Sequence, residues 1–144
     1  MEYEATVEID APVARAWKAL TEIEQWPAWT RSMRHVTWIG DGAMSLGSTA
    51  RIKQPGTIPL VWEVCELDPG TSFSWKTTSL GIEALATHVL KPIDADRVAL
   101  TLGIRQSGSL APIVNLLTGR RTKRFVQMEA EGLKRCSESR ADLH

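Results

Sequence analysis

The sequence predicts an α+β fold in which a strongly curved, seven-stranded antiparallel sheet wraps around one long C-terminal helix. Three observations predict it. The chain opens on a strict polar/apolar alternation, the period of a half-buried strand. From residue 33 to residue 106 it breaks into strand-length runs separated by turn residues, the signature of an antiparallel meander. After that, apolar residues recur at helical spacing to about residue 139. So many antiparallel strands expose an apolar face, and the long helix is the element left to cover it.

In order, Ala5, Val7 and Ile9 alternate with Glu4, Thr6 and Glu8 to make the first strand. Past Asp10-Ala11-Pro12, the spacing of Val13, Trp17 and Leu20 predicts a short helix, with proline where a first turn tolerates it. Thr21 and Glu24 have capping-box spacing and Pro27 prevents a long continuation, so Thr21 to Trp29 is expected to be a second short helical piece. Six further strands are expected near 33–39, 47–54, 58–67, 71–78, 82–91 and 96–106. They are divided by Gly40-Asp41-Gly42, Gln54-Pro55-Gly56, Asp68-Pro69-Gly70, Leu80-Gly81 and the stretch from Pro92 to Asp96. After Ser107-Gly108-Ser109, the residues Leu110, Ile113, Val114, Leu117, Phe125, Met128 and Gly132 are expected on one side of the final helix.

The chain has 144 residues, an ordinary length for one domain, and residues 1–144 are expected to form a single one. Lys+Arg and Asp+Glu balance at 17 each, unlike the basic footprint of a nucleic-acid binder, so no nucleic-acid partner is expected. Cys65 and Cys136 stand apart without metal-ligand or disulfide-framework spacing and are read as reduced thiols. The N-terminus lacks a basic segment followed by an apolar stretch, and no run is long enough to span a membrane, which predicts a cytoplasmic protein.

Several segments together resemble a known family. They are Val7-x-Ile9-x-Ala11-Pro12-Val13-x-x-x-Trp17-x-x-Leu20-Thr21, then Trp26-Pro27-x-Trp29, and Gly47 with Arg51. Trp62-x-Val64-x-Glu66-x-x-Pro69-Gly70 and Met128-Glu129-Ala130-Glu131-Gly132-Leu133-Lys134 complete the set. Their order resembles the helix-grip fold of the START-like (SRPBCC) superfamily, which includes the birch-pollen allergen and the polyketide cyclase/dehydratase-like proteins. The resemblance spans nearly the whole chain and implies a ligand cavity between sheet and helix. It implies no particular reaction, because one fold hosts carriers, receptors and cyclases.

Gly42-Ala43-Met44-Ser45-Leu46-Gly47-Ser48-Thr49 approaches a phosphate-binding loop, but Ser48 stands where lysine is needed and a strand follows, so its glycines are read as turn positions. His35, His88 and His144 are too scattered for a ligand cluster, so no metal and no cofactor are expected. Six tryptophans against one tyrosine and two phenylalanines are unusual, since indole is bulky and its N–H wants a partner. Trp17 reads as core. Trp26 is expected to close the second helix against the sheet, whereas Trp29 either does the same or forms a lip of a pocket. Trp62 alternates with Val64, and Trp75 with Phe73, so these aromatics share strand faces and line the cavity if the face is concave. The direction of Trp38 stays open.

His88 follows the small residues Ala84 and Ala86 and is read either as a satisfied histidine with no ligand role or as a group that offers one hydrogen bond to a ligand for which the small residues leave room. Arg51 and Arg105 are ordinary strand arginines by default, and the run Arg120, Arg121, Lys123, Arg124 reads as a solvated helix face. Arg121 interrupts the apolar stripe between Leu117 and Phe125. It either follows a helix break at Gly119, snorkels to water, or reaches the rim of the pocket; the rim is the expected place.

The leading expectation is a binder of a small hydrophobic, lipid-like or polyketide-like molecule. Its ligand-contacting residues would be Trp29, Trp38, Trp62, Phe73, Trp75, His88, Leu117, Arg121, Phe125 and Met128. The alternative is a cyclase/dehydratase-type enzyme with His88 as general acid/base and Arg51 or Tyr3 as polarising groups. A third class, an adaptor built on the same fold, would expose Trp62 and Trp75, and a homodimer is compatible with the sequence.

Overall fold

The computed structural model describes residues 2–40 and 42–139; Met1, Asp41 of the first predicted turn, and residues 140–144, His144 among them, lie outside that range. Strand β1 (Glu2–Ile9) is followed by helix α1 (Val13–Thr21) and a 3₁₀ helix (Ile23–Ala28). Then come β2 (His35–Ile39), β3 (Thr49–Lys53), β4 (Leu60–Asp68), β5 (Ser72–Ser79), β6 (Ile82–Asp94), β7 (Arg97–Ser107) and the long helix α2 (Ala111–Ser139). The seven strands form one antiparallel sheet in the order β1-β7-β6-β5-β4-β3-β2, so β2 to β7 is a meander and β1 closes against its last strand. This is the helix-grip fold: a curved sheet folded around α2, with the two short helices between β1 and β2.

Alternation sets the two faces. Val36 and Trp38, Ala50 and Ile52, Trp62 and Val64, Phe73 and Trp75, Ala84 and His88, and Val98, Leu100 and Leu102 are buried on the concave side. Register shifts between Val64 and Glu66 and between Pro92 and Asp94 are bulges, which bend a sheet that could not otherwise curl around a helix.

Two local expectations are corrected. Thr21 ends α1 and turns its Oγ1 back to donate to the Trp17 carbonyl at 2.9 Å, so it caps nothing. The 3₁₀ helix starts one residue after Glu22 without a side-chain cap, and Glu24 instead accepts the Trp38 backbone N–H at 3.1 Å, tying that segment to β2.

The second correction concerns α2, which runs unbroken through Gly119. Of the predicted stripe, Gly132 is buried and Leu110, Val114 and Phe125 face the sheet, but Ile113 and Leu117 are exposed, and the other buried residues of the helix are Ala111, Val126, Ala130, Leu133 and Ser137. Small side chains permit close packing of the C-terminal half: Ala130, Gly132 and Ser137 are buried, and Gly132 lies directly against Trp29, just past the 3₁₀ helix. The N-terminal half stands off the sheet, and the gap beneath it is a cavity.

Candidate ligand cavity

The cavity has a volume of about 410 Å³ and lies between the middle strands and α2. Its wall is mostly apolar. Ile52, Leu60 and Trp62 come from β3 and β4, Trp75 from β5, Ala84 and Ala86 from β6, Leu102 and Ile104 from β7, and Val114, Phe125 and Val126 from α2. The alanines matter because they hollow the sheet opposite α2 where larger side chains would fill it.

The inner end is an aromatic cluster. Phe73 and His88 are cross-strand partners whose rings stack at 4.0 Å with an interplanar angle of 7°. Trp75 meets Phe73 edge-on at 5.3 Å and Trp26 at 5.4 Å, and Trp62 lies 6.1 Å from Trp75. The indole N–H of Trp26 donates to the Leu20 carbonyl at 3.2 Å, so its ring can be buried without an unmet donor.

Besides Arg121 at the rim, two titratable groups line this largely apolar space. Burial pushes the His88 imidazole down to about 4, so it is neutral at neutral pH. Its Nδ1 sits 3.2 Å from the Phe73 carbonyl. A carbonyl can only accept, so Nδ1 carries the proton and Nε2 keeps a lone pair. Glu129 of α2 is pushed up to about 8 by burial, opposed by a hydrogen bond from Ser32, and is therefore a neutral acid at pH 7.

Ser32 Oγ donates to Glu129 Oε1 at 3.2 Å and lies 2.8 Å from Thr30 Oγ1, which accepts the Ser32 backbone N–H at 3.3 Å. With the Ser32 proton committed to Glu129, the Thr30 hydroxyl must donate to Ser32. The chain of donors therefore runs toward Oε1 and leaves the carboxyl proton to Oε2. His88 thus offers an uncharged acceptor and Glu129 an uncharged donor, beside neutral threonine, serine and glutamine side chains in the wall and Arg121 at the rim.

The structure brings Trp62, Trp75, His88, Arg121 and Phe125 to this cavity. Arg121 is at the rim, where its guanidinium lies against the β3–β4 turn, and a Cβ built on Gly56 would fall 2.9 Å from Nη1. Phe73 is fully buried behind His88 and Trp75, with Trp17 edge-on at 6.4 Å, and does not reach the cavity. Trp38 points inward into the core but does not line the cavity.

Leu117 is exposed, because the helix face it occupies turns away from the sheet. Trp29 and Met128 belong to a separate, more polar hollow with Arg31, Glu131 and Arg135 on the outer side of the 3₁₀ segment. Arg51 is exposed on the convex face, since its neighbours Ala50 and Ile52 take the concave one. Tyr3 accepts a hydrogen bond from Gln127 Nε2 at 2.7 Å away from the cavity. Sequence reasoning missed Glu129 as a site residue. The available signal was an acid four residues from both Phe125 and Leu133, on the inward face of α2.

A curved sheet gripping a long helix with a largely apolar cavity between them defines a protein of the Bet v 1-like, START-like class. The chain belongs to the family described as polyketide cyclase/dehydrase and lipid transport, whose model matches residues 1–138. No curated protein matches the sequence. Among solved structures, a hypothetical protein from Helicobacter pylori superposes with a TM-score of 0.79 at 16% identity, covering 94% of this chain and 86% of that one. The di-domain ARO/CYC BexL of the BE-7585A biosynthetic pathway gives 0.77 at 18% identity, with 99% of this chain matching 48% of that one. The ZhuI aromatase/cyclase from a Streptomyces species gives 0.72 at 16% identity, covering 99% and 93%. At these identities the likeness carries the fold. Family and fold together support a ligand-binding or cyclase role.

Proposed function

We propose that the protein binds a small, largely apolar, lipid-like or polyketide-like molecule in the cavity under α2. The observation that carries this reading is a space of about 410 Å³ with predominantly indole and aliphatic walls, in which the two buried titratable groups, His88 and Glu129, are neutral. Its size falls in the range of ordinary small-molecule sites, and its polar groups, with Arg121 at the rim, can orient a ligand while the interior stays uncharged. The ligand favoured has a hydroxyl or N–H for His88 Nε2 and a carbonyl or ether oxygen for the Glu129 proton.

Native mass spectrometry of the full chain, with thermal shift against hydroxylated aromatics and fatty acids, tests the reading. A bound compound, lost in an Ala86→Phe variant that fills the space, is the expected result. A ligand retained by that variant would place binding elsewhere.

A second reading, a cyclase/dehydratase-type enzyme, is favoured by one observation: a base and an acid line the same enclosed space. His88 Nε2 would take a proton from the activated carbon of a poly-β-ketone, and Glu129 would protonate either the carbonyl oxygen that becomes a hydroxyl or the hydroxyl that leaves as water. Glu129 suits its part, being protonated near working pH. A histidine held down to about 4 is wholly unprotonated but a weak base, which is why binding is placed first. If turnover of such a substrate is detected, His88→Gln and Glu129→Gln should each lower it by about 10²–10⁴-fold; unchanged rates would remove these roles.

A further inference from the structure

The rim of the cavity carries exposed large aliphatic residues whose placement folding does not explain. Leu80 is 79% exposed and Ile58 63%, and on α2 Leu116 is 84% and Leu117 77% exposed, with Leu110 and Ile113 also at the surface. Leu80, Ile58 and Leu110 line the cavity as well, so the apolar surface continues from inside to outside. A Cβ built on Gly81 would meet the Leu110 side chain at 3.8 Å, which places the β5–β6 turn beside the start of α2.

Leu80 is also in the wrong conformation for a leucine. It and Gly81 form a two-residue hairpin turn with φ of +54° and +76°, where asparagine or glycine is the favoured first residue. A β-carbon held there on a side chain that is 79% exposed is a local cost to folding that burial of the leucine does little to offset.

Beyond these residues, spacings of three and four carry the same flank of α2 from Leu110, Ile113 and Leu117 to Arg120, Arg121 and Arg124. All three arginines are exposed, and none forms an ion pair among the described residues. The sequence holds no aspartate or glutamate between Asp96 and Glu129. An apolar stretch beside an all-cationic one supplies the two contributions that hold a peripheral segment on an anionic interface, buried apolar area and attraction to lipid charge.

We propose that this rim and the flank of α2 form a docking surface for an anionic lipid bilayer, which brings the cavity mouth against the membrane. Charge complementarity selects that occupant. A two-fold contact between copies would set Arg120, Arg121 and Arg124 against their own images with no acid to answer them. The leucines stand out as separate knobs and suit hydrocarbon, which conforms to them, better than a rigid protein surface. Among the described residues no helix is long and apolar enough to cross a membrane, so the association is peripheral.

The test is co-sedimentation of the full chain with vesicles of equal parts phosphatidylglycerol and phosphatidylcholine, against pure phosphatidylcholine. Binding should require the anionic lipid and weaken with salt. The double variant Arg120→Gln/Arg124→Gln should bind about thirtyfold more weakly. Leu80→Asn should bind about fivefold more weakly while raising the unfolding midpoint, because asparagine suits the turn; that separates lost docking from lost folding. Three results would overturn the proposal: no sedimentation of the wild type with anionic vesicles, binding indifferent to both variants, or concentration-dependent self-association that Leu80→Asn abolishes without vesicle binding. Any of them leaves the ligand-binding reading of the cavity standing.

Discussion

Glu129 and His88 are uncharged for one reason, since removal from water penalises whichever form carries charge, and this raises an acid and lowers a base. The consequence for binding is specific. A ligand oxygen that accepts the Glu129 proton loses its donor as pH rises through about 8, so affinity should fall above that pH in the wild type. Binding to Glu129→Gln, whose amide keeps a donor, should stay flat, as read by titration calorimetry. Ser32 stabilises the ionised form of Glu129, so Ser32→Ala should move the carboxyl titration still higher in ¹³C NMR. The lost hydrogen bond should also cost about 1 kcal/mol of stability.

At the scale of the element, the two helical glycines of α2 are expected to behave oppositely. A Cβ on Gly132 would fall 2.4 Å from the Trp29 carbonyl oxygen and 2.7 Å from its ring, both held by the packed 3₁₀ segment. Gly132→Ala should therefore destabilise by about 1–3 kcal/mol, although alanine is the better helix former. A Cβ on Gly119 meets only the tip of Asn115, at 2.7 Å, a side chain free to turn aside. Gly119→Ala should accordingly stabilise by about 0.5–1 kcal/mol. Urea unfolding midpoints of the two variants measure both, and equal shifts of the same sign would contradict the packing described for α2.

For the molecule as a whole, the two buried groups shape stability against pH in opposite directions. His88 binds a proton in the unfolded chain at 6.5 but in the folded one only at about 4, so its contribution is complete above pH 6.5 and lost as pH falls toward 4. Glu129 has a folded value raised from 4.5 to about 8, so its contribution is complete below pH 4.5 and lost as pH rises toward 8. Between pH 4.5 and pH 6.5 the slopes cancel, and from pH 6.5 to about pH 8 Glu129 acts alone, lowering stability by roughly 2 kcal/mol. Chemical denaturation across that range should show the decline in the wild type and not in Glu129→Gln.

Element order was legible in the sequence, as was which residues share a strand face, Trp62 with Val64 and Trp75 with Phe73, although that this face is the inner one was not. Strand alternation has a period of two and each turn is written in local residues such as Asp68-Pro69-Gly70, so these features need only neighbours along the chain. Tertiary structure decided the rest. Which face of α2 turns inward depended on where small residues could pack closely, Gly132 against Trp29 above all, with Ala130 and Ser137 also buried, and that left Leu117 at the surface and Glu129 at the cavity. Arg51 and Tyr3 fell away from the site because strand register and the course of α2 place them, and Phe73 because its neighbours cover it. The protonation of His88 and Glu129 is likewise a property of the folded interior, since a pKa reports the water and partners around a group, and residues distant in the chain supply both.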